Sequence, residues 1–320
     1  MSDGGLDRWK SSAAAAGKRL DAYLARIYSK PRNQVLKWIL DSRVEVDGAV
    51  AKPAHKLRGG EWITCRPVLP TQAGILAAES GPLDVLFEDE HIVVVDKPSN
   101  LIVHPGAGRE TGTLAHRLLH RFPEMDSVGG PGRPGIVHRL DRGTSGVMVV
   151  ARQPEAYEKL SRAFAKRAVE KTYLAVVYGP LALKAGSVDS PIGRHPNRRK
   201  EMHVAANGRP AETAYQVVEA TADGLTLVEV RPKTGRTHQI RVHLKHLGHP
   251  IVGDPVYGEA RWKGLRRPLQ GPLKRFPRPA LHAWRLAFAH PLTGERSEFE
   301  AHVGKDIAEL WRELGGKRHL

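Results

Sequence analysis

Residues 135–146 read Gly-Ile-Val-His-Arg-Leu-Asp-Arg-Gly-Thr-Ser-Gly, and this segment constrains the fold more than any other part of the chain. The β-branched pair at residues 136–137 predicts the end of a strand. Two glycines, Gly143 and Gly146, predict a tight turn after it, because glycine adopts backbone conformations that other residues avoid. The apolar run at residues 147–150 predicts a second strand. We therefore expect strand, turn and strand, with polar side chains on the turn.

Asp141 stands on this turn with an arginine on each side, Arg139 and Arg142. Nearby opposite charge favours the ionised form of a carboxyl group, and it also attracts anionic substrates. A single Asp followed two residues later by Gly would more often serve only to close a turn. The choice between these two roles for Asp141 depends on the rest of the segment.

The composition favours a nucleic acid as the partner. The 320 residues include 50 Lys and Arg against 34 Asp and Glu, a net charge of +16, and the pI is near 10.1. Such an excess indicates a polyanionic partner. No apolar run has the length of a membrane span, and the N-terminus lacks the apolar stretch of a signal peptide. We expect no membrane association and a cytoplasmic location, which also suits the single cysteine, Cys65.

The pattern of apolar residues, glycines and prolines divides the chain into five segments. Residues 1–16 have no pattern and predict a disordered leader. Residues 17–67 predict two short helices and short strands, and residues 68–82 predict a linker. Residues 83–305 alternate short strands with few helices, which predicts an α+β domain on a mixed, mostly antiparallel sheet. Residues 306–320 predict a C-terminal helix and tail.

The segment around Asp141 resembles a known catalytic motif. His-Arg-Leu-Asp-x-x-Thr-Ser-Gly is similar to the motif of the RluA-type pseudouridine synthases, in which the Asp attacks the target nucleotide. This resemblance outweighs the interpretation of Asp141 as a turn residue and implies that it is catalytic. It further implies that Arg139 fills the gap that a flipped-out uridine leaves in the RNA. We expect the neighbouring His138 and Arg142 to contact the substrate as well.

Two further segments carry the same resemblance. The strand Lys-Thr-Tyr-Leu-Ala places Tyr173 where relatives hold a tyrosine against the target uracil. A flat aromatic face there would offset part of the cost of unstacking the base. The segment Gly-Arg-Thr-His-Gln-Ile-Arg-Val-His at residues 235–243 matches the family pattern, and by resemblance Arg241 pairs with the catalytic aspartate. Arg236 is an alternative partner that the sequence leaves open, and Arg236 and His238 are expected to contact the substrate.

Residues 94–108 resemble the family's first motif, a strand that enters a proline turn. Many members have Asn and Gly where this chain has Asp96 and Asn100. Because Asn tolerates the left-handed backbone almost as readily as Gly does, we expect the turn to be kept.

Residues 17–67 resemble the S4 RNA-binding domain. The resemblance is carried by Arg-Leu-Asp at residues 19–21, by the arginine before the second helix, and by Arg-Val-x-Val-Asp-Gly at residues 43–48. It implies that RNA docks along a basic edge of this domain. The residues expected to contact RNA are Arg19, Arg32, Lys37 and Arg43.

The resemblance implies an isomerisation of uridine to pseudouridine. The bond from the ribose to N1 of uracil breaks, the ring turns in the pocket, and C5 bonds to the same sugar carbon, so no cofactor is required. Whether Asp141 attacks the sugar, attacks the base or accepts a sugar proton is open at this stage. The histidines of residues 238–249 lack a zinc-binding spacing and have no cysteine near them, so we expect no metal.

Several stretches, among them His-Pro-Gly-Ala-Gly at residues 104–108, look closest to the branch of the family that modifies 23S rRNA. That branch acts on the stem-loop at the bridge between the ribosomal subunits (helix 69). The expected partner is 23S rRNA or the large ribosomal subunit, bound by a monomer. Arg198, Arg199 and Lys200 are expected to contact phosphates, and so is the proline-rich basic stretch at residues 261–278, interpreted as a long loop.

Three alternatives differ in what they predict. A sister synthase would form pseudouridine at other 23S rRNA sites. A non-catalytic ribosome assembly factor would bind rRNA and form none. A hydrolase that used Asp141 with a neighbouring histidine would cleave the strand or the glycosidic bond.

Overall fold

The computed structural model describes residues 6–28, 32–67, 76–106, 111–130, 132–198 and 201–320. The chain divides into two compact units, Met1–Gly74 and Ile75–Leu320, and the division falls within the predicted linker. Each unit has its own apolar core. Among the described residues no helix is long and apolar enough to cross a membrane.

The first unit combines two helices with a four-stranded antiparallel sheet. Helical spacing places Leu24 and Val35 in its core, where Cys65 is also buried. The predicted Asp-Gly turn joins two of the strands, with Asp47 and Gly48 both at positive φ. The strands, in the order β1-β4-β2-β3, are β1 (Asp7–Lys10), β2 (Val44–Val46), β3 (Ala49–Val50) and β4 (Trp62–Cys65), and the helices are α1 (Leu20–Ile27) and α2 (Arg32–Leu40).

The prediction of a disordered leader is wrong for residues 6–16, while residues 1–5 lie outside the described part. Strand β1 pairs with β4 along its whole length. Ser11 then donates its backbone N–H to the Glu61 carbonyl at 2.8 Å, and Ala15 is buried in the core. The four residues of β1 are of mixed polarity and show no alternation that would predict a strand. Their order comes from the unpaired edge of β4, which lies more than 50 residues away in the sequence.

The second unit is built on a nine-stranded sheet in which one described pair, β7 with β14, is parallel and the other pairs are antiparallel. The mixed, mostly antiparallel sheet is therefore as predicted. The strand order is β5-β6-β7-β14-β8-β13-β12-β9, with β15 also paired to β14, and β10 and β11 form a separate two-stranded sheet. The strands are β5 (Asp84–Glu88), β6 (Ile92–Lys97), β7 (Ser145–Ala151), β8 (Glu170–Tyr178), β9 (Ala185–Asp189), β10 (Ile192–Arg194), β11 (Met202–Val204), β12 (Glu212–Ala220), β13 (Leu225–Pro232), β14 (Leu281–Ala289) and β15 (Arg296–Glu300).

Five helices of the described residues cover this sheet and divide the core in two. They are α3 (Leu114–Arg121), α4 (Pro154–Ala165), α5 (Gln239–His246), α6 (Arg267–Arg275) and α7 (Lys305–Glu313). Helices α3 and α4 pack with β6 and β7, whereas α5, α6 and α7 pack with β8 and β13. The predicted C-terminal helix is α7. Its Ile307, Leu310 and Trp311 are buried in the second core, so it packs as part of the second unit.

The interpretation of residues 261–278 as a long loop is wrong. The stretch contains a 3₁₀ turn, Arg261–Gly264, and helix α6, whose Leu269 and Leu273 are buried. One proline lies in the first turn of α6, where the missing N–H costs little. Two leucines four residues apart are enough to hold a basic helix against the core. The density of proline therefore indicated a loop where a short amphipathic helix exists.

Gly146 is the second residue of strand β7, close to the turn that carries Asp141. We expect Gly146→Ala to lower the free energy of unfolding by about 2–4 kcal/mol. Its φ is +117°, and a Cβ there would lie 2.1 Å from the Ala283 carbonyl oxygen of the paired strand β14. Urea unfolding measures the change. Gly264→Ala, where a Cβ meets open space, is the matched control. Equal stabilities of the two variants would contradict the expectation.

Candidate active site

The turn that carries Asp141 is held from three sides. Leu140, its neighbour, is buried in the core. The Thr144 backbone N–H donates to the Asp141 carbonyl at 3.0 Å, and the Asn100 N–H donates to the Arg142 carbonyl at 2.8 Å. Asn100 has a φ of +67°, so the turn of the first motif is kept with Asn in the left-handed position, as expected. These contacts fix the backbone at Asp141 before any substrate is present.

The Asp141 carboxylate faces a cleft of about 720 Å³, and 25% of its side chain is exposed. Arg241 from helix α5 donates from Nη1 to Asp141 Oδ2 at 3.0 Å. Arg236, the alternative partner, donates from Nε to the Pro210 carbonyl at 3.1 Å. Of the two arginines that the sequence left open, the structure therefore places Arg241 on the carboxylate.

Asp254 holds the Arg241 guanidinium from the other side. Arg241 donates from Nε to Asp254 Oδ2 at 2.6 Å and from Nη2 to Oδ1 at 2.8 Å, and Asp254 is fully buried. Asp254 Oδ1 also accepts the backbone N–H groups of Val256 and Tyr257. Burial alone would lower the pKa of Arg241, but the bonds and charges of Asp254 and Asp141 outweigh it, so the pKa is raised. The guanidinium is thus permanently charged and fixed between two carboxylates.

Tyr173 lies half-buried in strand β8 and lines the cleft. Its backbone is paired on both sides, with Val230 of β13 and Ala283 of β14. Burial, and then the charge of Asp141, raises the pKa of the phenol, so the ring stays neutral. The arrangement presents a rigid aromatic surface next to the carboxylate, which is the property expected of Tyr173.

His138 lines the cleft but is engaged by the protein itself. Its Nε2 accepts the Val149 backbone N–H at 3.1 Å, and its ring stacks on Phe164 at a centroid distance of 4.5 Å. Burial, helped by the charge of Lys171, lowers the pKa of His138 to about 3, so the ring is neutral. His138 can therefore contact a substrate only as part of the cleft wall. Its Nε2 instead holds the segment before Asp141 to strand β7.

His238 precedes helix α5 in a left-handed conformation, with a φ of 56°. Its Nδ1 and the Tyr257 hydroxyl are hydrogen-bonded at 2.9 Å, and its Nε2 lies 3.9 Å from Asp141 Oδ2. Burial lowers the pKa of His238, and the charge of Asp141 acts in the opposite direction. His238 is therefore beside the carboxylate, where the sequence predicted a substrate contact.

The remaining predicted substrate residues divide into two groups. Arg139 and Arg236 line the cleft. Arg142 does not: its side chain is exposed outside the lining, and its carbonyl is bound to the Asn100 N–H. Its prediction as a substrate-binding residue finds no support in this geometry. Successive side chains along an extended or turning backbone point in different directions, so proximity to Asp141 in sequence did not bring Arg142 into the cleft.

The basic residues predicted to bind RNA have different surroundings. Arg19 and Arg32 both bind the buried carboxylate of Asp21, at 2.9 and 3.0 Å. The hydrogen bond from Arg19, opposed by burial, dominates the shift of the Asp21 pKa to about 2. These two arginines therefore also stabilise the first unit. Lys37 and Arg43 are exposed.

In the second unit, Arg198 is exposed and pairs with Glu201 at 3.0 Å, while Arg199 and Lys200 lie outside the described residues.

Positive charge dominates the lining of the cleft. Asp141 is the only carboxylate among the described residues that line it. The aliphatic and aromatic part of the lining includes Val137, Phe164 and Ile240. Besides Arg241, the lysines and arginines of the lining are Arg133, Arg139, Arg167, Lys171, Arg209, Lys233 and Arg236. Such a cleft attracts a polyanion and, among the described residues of its lining, presents one negative group to it.

No role was predicted from the sequence for Asp254 or Tyr257, although residues 252–258, which contain both, resemble relatives. Asp254 anchors Arg241, and Tyr257 lies under the same guanidinium, with the ring centroid 4.9 Å from its Cζ. The Tyr257 hydroxyl also accepts the Met202 N–H at 2.8 Å. The run Asp-Pro-Val-Tyr-Gly at residues 254–258 could have drawn attention to this turn. One sequence does not show, however, that the turn contacts helix α5.

His282 of strand β14 lies opposite Ser145, the first residue of β7, and we expect this histidine to make stability fall with acidification. Its Nδ1 accepts from the Ser145 hydroxyl at 2.9 Å, and its Nε2 donates to the Ala301 carbonyl at 3.0 Å. Burial lowers its pKa to about 4, against about 6.5 in the unfolded chain. Between these values the unfolded state binds more protons, so the contribution of His282 is complete above about pH 6.5 and is lost as pH falls towards 4.

The measurement is urea unfolding between pH 7.5 and 4.5. The slope attributable to His282 is at most about 1.4 kcal/mol per pH unit, and His282→Gln should remove it. His120→Gln, a change at an exposed histidine, should leave the wild-type slope. Parallel pH profiles for wild type and His282→Gln would show that this histidine does not titrate as described.

Comparison with known proteins agrees with this geometry. Residues 91–246 match the family model described as RNA pseudouridylate synthase, and residues 18–63 match the S4 domain. A ribosomal large subunit pseudouridine synthase D from Xanthomonas campestris pv. campestris is 46% identical over 94% of this chain and 90% of that protein. The protein of the same name from Vibrio parahaemolyticus is 43% identical over 93% and 91%.

Among solved structures, human RNA pseudouridylate synthase domain containing 1 is 31% identical, with a TM-score of 0.55 over 70% of this chain and 86% of that one. The family match includes the Asp141 turn, strand β8 and helix α5, which together form the cleft. The chain is thus an RNA pseudouridine synthase with an N-terminal S4 domain, and it belongs to the RNA pseudouridylate synthase family.

Proposed function

We propose that this protein converts specific uridines of 23S rRNA to pseudouridine, in the stem-loop at the inter-subunit bridge (helix 69). The observation that supports this chemistry is Asp141, the single carboxylate among the described residues of the cleft lining, ion-paired to Arg241 and open to solvent. The choice of 23S rRNA is supported by relatives 42–46% identical over most of the chain, whose names specify the large ribosomal subunit.

The size and lining of the cleft suit a nucleotide that has left its base stack. A volume of about 720 Å³ is within the range of small-molecule pockets. Tyr173 supplies an aromatic face on one side, and the cationic rim can contact the phosphates on either side of the extruded uridine. In this arrangement Arg139 is available to fill the space in the RNA, which is the role that the resemblance implies for it.

The contacts of Asp141 define what it contributes to the reaction. Arg241 binds Oδ2, and Asp254 prevents that guanidinium from turning away. The carboxylate therefore keeps one orientation while the glycosidic bond breaks and the ring turns, and it is available to attack a carbon or to accept a proton. Fixed geometry of this kind removes the entropic cost of aligning the reacting groups. Tyr173 and Arg241 act with Asp141 by holding the base and the carboxylate.

The test is to incubate the full chain with a 23S rRNA fragment that contains helix 69 and to map pseudouridine by carbodiimide-blocked primer extension. New stops at helix 69 uridines are expected. Stops confined to other 23S uridines would indicate a sister synthase, and binding without stops would indicate an assembly factor. Cleavage of the strand or release of uracil would indicate a hydrolase. Each of these three results would overturn the proposal as stated.

We further propose that the protein acts as a monomer in the cytoplasm. An rRNA substrate supports that compartment, and the buried free thiol of Cys65 is compatible with reducing conditions. Light scattering at micromolar concentration, with and without the rRNA fragment, tests the monomer. A dimer mass in either sample would contradict it.

A further inference from the structure

Three arginines of the cleft, Arg167, Arg209 and Arg236, come from separate elements and have no acidic partner in the part of the chain that the structure describes. They follow helix α4, strand β11 and strand β13, and all three line the same cleft. The ion pairs of the described residues include none of them, whereas Lys233 of the same lining is bound to Glu212. Unpaired cations on a surface are common, so position and anchoring decide whether these three form a site.

Arg167 occupies a backbone position that normally selects glycine. Helix α4 ends in a Schellman arrangement, in which Arg167 N–H donates to the Phe164 carbonyl and Ala168 N–H to the Ala163 carbonyl. The residue in this position is left-handed, and Arg167 has a φ of 61°. An arginine there is strained relative to glycine, because its Cβ crowds the carbonyl. Strained residues that persist are concentrated at functional sites.

Arg209 and Arg236 are anchored next to each other. Arg209 exchanges two backbone hydrogen bonds with Ile192, at 2.9 and 3.0 Å, so its side chain starts from a fixed point. Arg236 is held through its side chain, because its Nε donates to the carbonyl of Pro210, the residue after Arg209. Its backbone N–H is held by Gln239 Oε1 at 3.0 Å. The two guanidinium groups are therefore carried into one part of the cleft by contacts within the protein.

The charges in this part of the cleft repel one another. Burial, and then the charges of Arg209 and Arg167, lowers the pKa of Arg236. Burial, and then the charge of Arg167, also lowers the pKa of the half-buried Lys171 in strand β8. The protein thus accepts both backbone strain and electrostatic repulsion here. An anion bound among these groups would relieve the repulsion, and guanidinium groups match the oxygens of a phosphate.

We propose that Arg167, Arg209 and Arg236 form a subsite for one backbone phosphate of the RNA, next to the nucleotide that Asp141 acts on. The inference rests on the proposed function for the identity of the RNA. The subsite fixes the strand beside the extruded uridine, so it sets where along the RNA the cleft engages. It belongs to binding and positioning, and none of the three arginines contacts Asp141.

The experiment combines variants of the protein with neutral linkages in the RNA. A helix 69 stem-loop is prepared as a series in which a methylphosphonate replaces one phosphate at a time around the target uridine. Dissociation constants are measured for the full-length wild type and for Arg167→Gln, Arg209→Gln and Arg236→Gln. Arg162→Gln, on helix α4 just before Arg167 but outside the cleft lining, is the matched control.

One linkage is expected to weaken wild-type binding by about tenfold when it is neutralised. Neutralising the same linkage should hardly change the dissociation constants of the three cleft variants, because the phosphate charge and the arginine take part in one interaction, which each variant has already lost. Each cleft variant should also reduce the slope of log Kd against log salt by about 0.7. Arg162→Gln should keep the wild-type sensitivity to every linkage.

Arg167→Gly separates this role from a structural one. It should raise Tm by about 2 °C, because glycine relieves the left-handed strain, and weaken RNA binding as much as Arg167→Gln does. An arginine present only to end the helix would not show both changes.

The subsite would be overturned if every neutral linkage weakened RNA binding equally, or if Arg162→Gln weakened it as much as the cleft variants do. General surface charge would then explain the binding. RNA binding with the expected coupling but without pseudouridine would overturn the proposed function and leave the phosphate subsite standing. Failure of the wild type to bind the stem-loop would overturn both.

Discussion

Asp141→Asn is expected to reduce pseudouridine formation by at least about 10³-fold while the dissociation constant for RNA changes by less than about threefold. Asn has the size of Asp, and its amide oxygen still accepts the Arg241 hydrogen bond, so the cleft keeps its shape. An amide is a poor nucleophile and a poor base. The negative charge that it removes is the single acidic group of the described cleft lining, so binding of a polyanion is not weakened.

Single-turnover rates on the helix 69 fragment, read by primer extension, and filter binding of the same RNA measure the two quantities separately. Asp126→Asn, at an exposed aspartate in the 3₁₀ turn Pro123–Ser127, is the control for removing a negative charge elsewhere in the chain. Near-normal turnover by Asp141→Asn would remove this residue from the mechanism. A parallel loss of binding and turnover would mean that Asp141 supports the structure of the cleft.

The features that could be predicted from the sequence are those that neighbouring residues specify. Residues 135–146 give the turn because their glycines and β-branched residues act locally, and the motif around Asp141 lies within nine residues. Strand β8 was predicted from residues close together in the sequence, and the resemblance marked Tyr173 within it and Arg241 within residues 235–243. The mixed sheet followed from the short strands and frequent turns.

The features that could not be predicted depend on distant contacts. The charges next to Asp141 in sequence indicated the adjacent arginines as its partners. Only the resemblance to the family indicated Arg241, which lies 100 residues away and forms the ion pair. Strand β1 exists through its pairing with β4, and α6 through burial of two leucines. The role of Asp254 could not be predicted, because it depends on the Arg241 guanidinium that folding brings to its carboxylate. One sequence shows the residue types but does not show which of them meet.

Asp254→Asn is expected to lower the free energy of unfolding by about 2–4 kcal/mol and to reduce the rate of pseudouridine formation by about 10²-fold. Asp254 is fully buried and balances the charge of Arg241 through two hydrogen bonds. Its loss leaves a buried guanidinium with Asp141 as its remaining anion. Arg241 is then free to turn towards Asp141, which changes the position of the carboxylate. The control is Asp223→Asn, which breaks the pair with the exposed Arg266 and should lower stability much less than Asp254→Asn does.

A double variant distinguishes the two consequences of losing Asp254. In Arg241→Met with Asp254→Asn, both buried charges are gone, and the Asn oxygen still accepts the backbone N–H groups of Val256 and Tyr257. Stability should recover by at least half of the loss seen in Asp254→Asn, because the penalty came from an unbalanced charge. The rate should stay low, because nothing then holds the Asp141 carboxylate. Additive losses of stability would show that Arg241 and Asp254 are not coupled, and recovery of the rate together with stability would show that Asp254 affects catalysis only by keeping the protein folded.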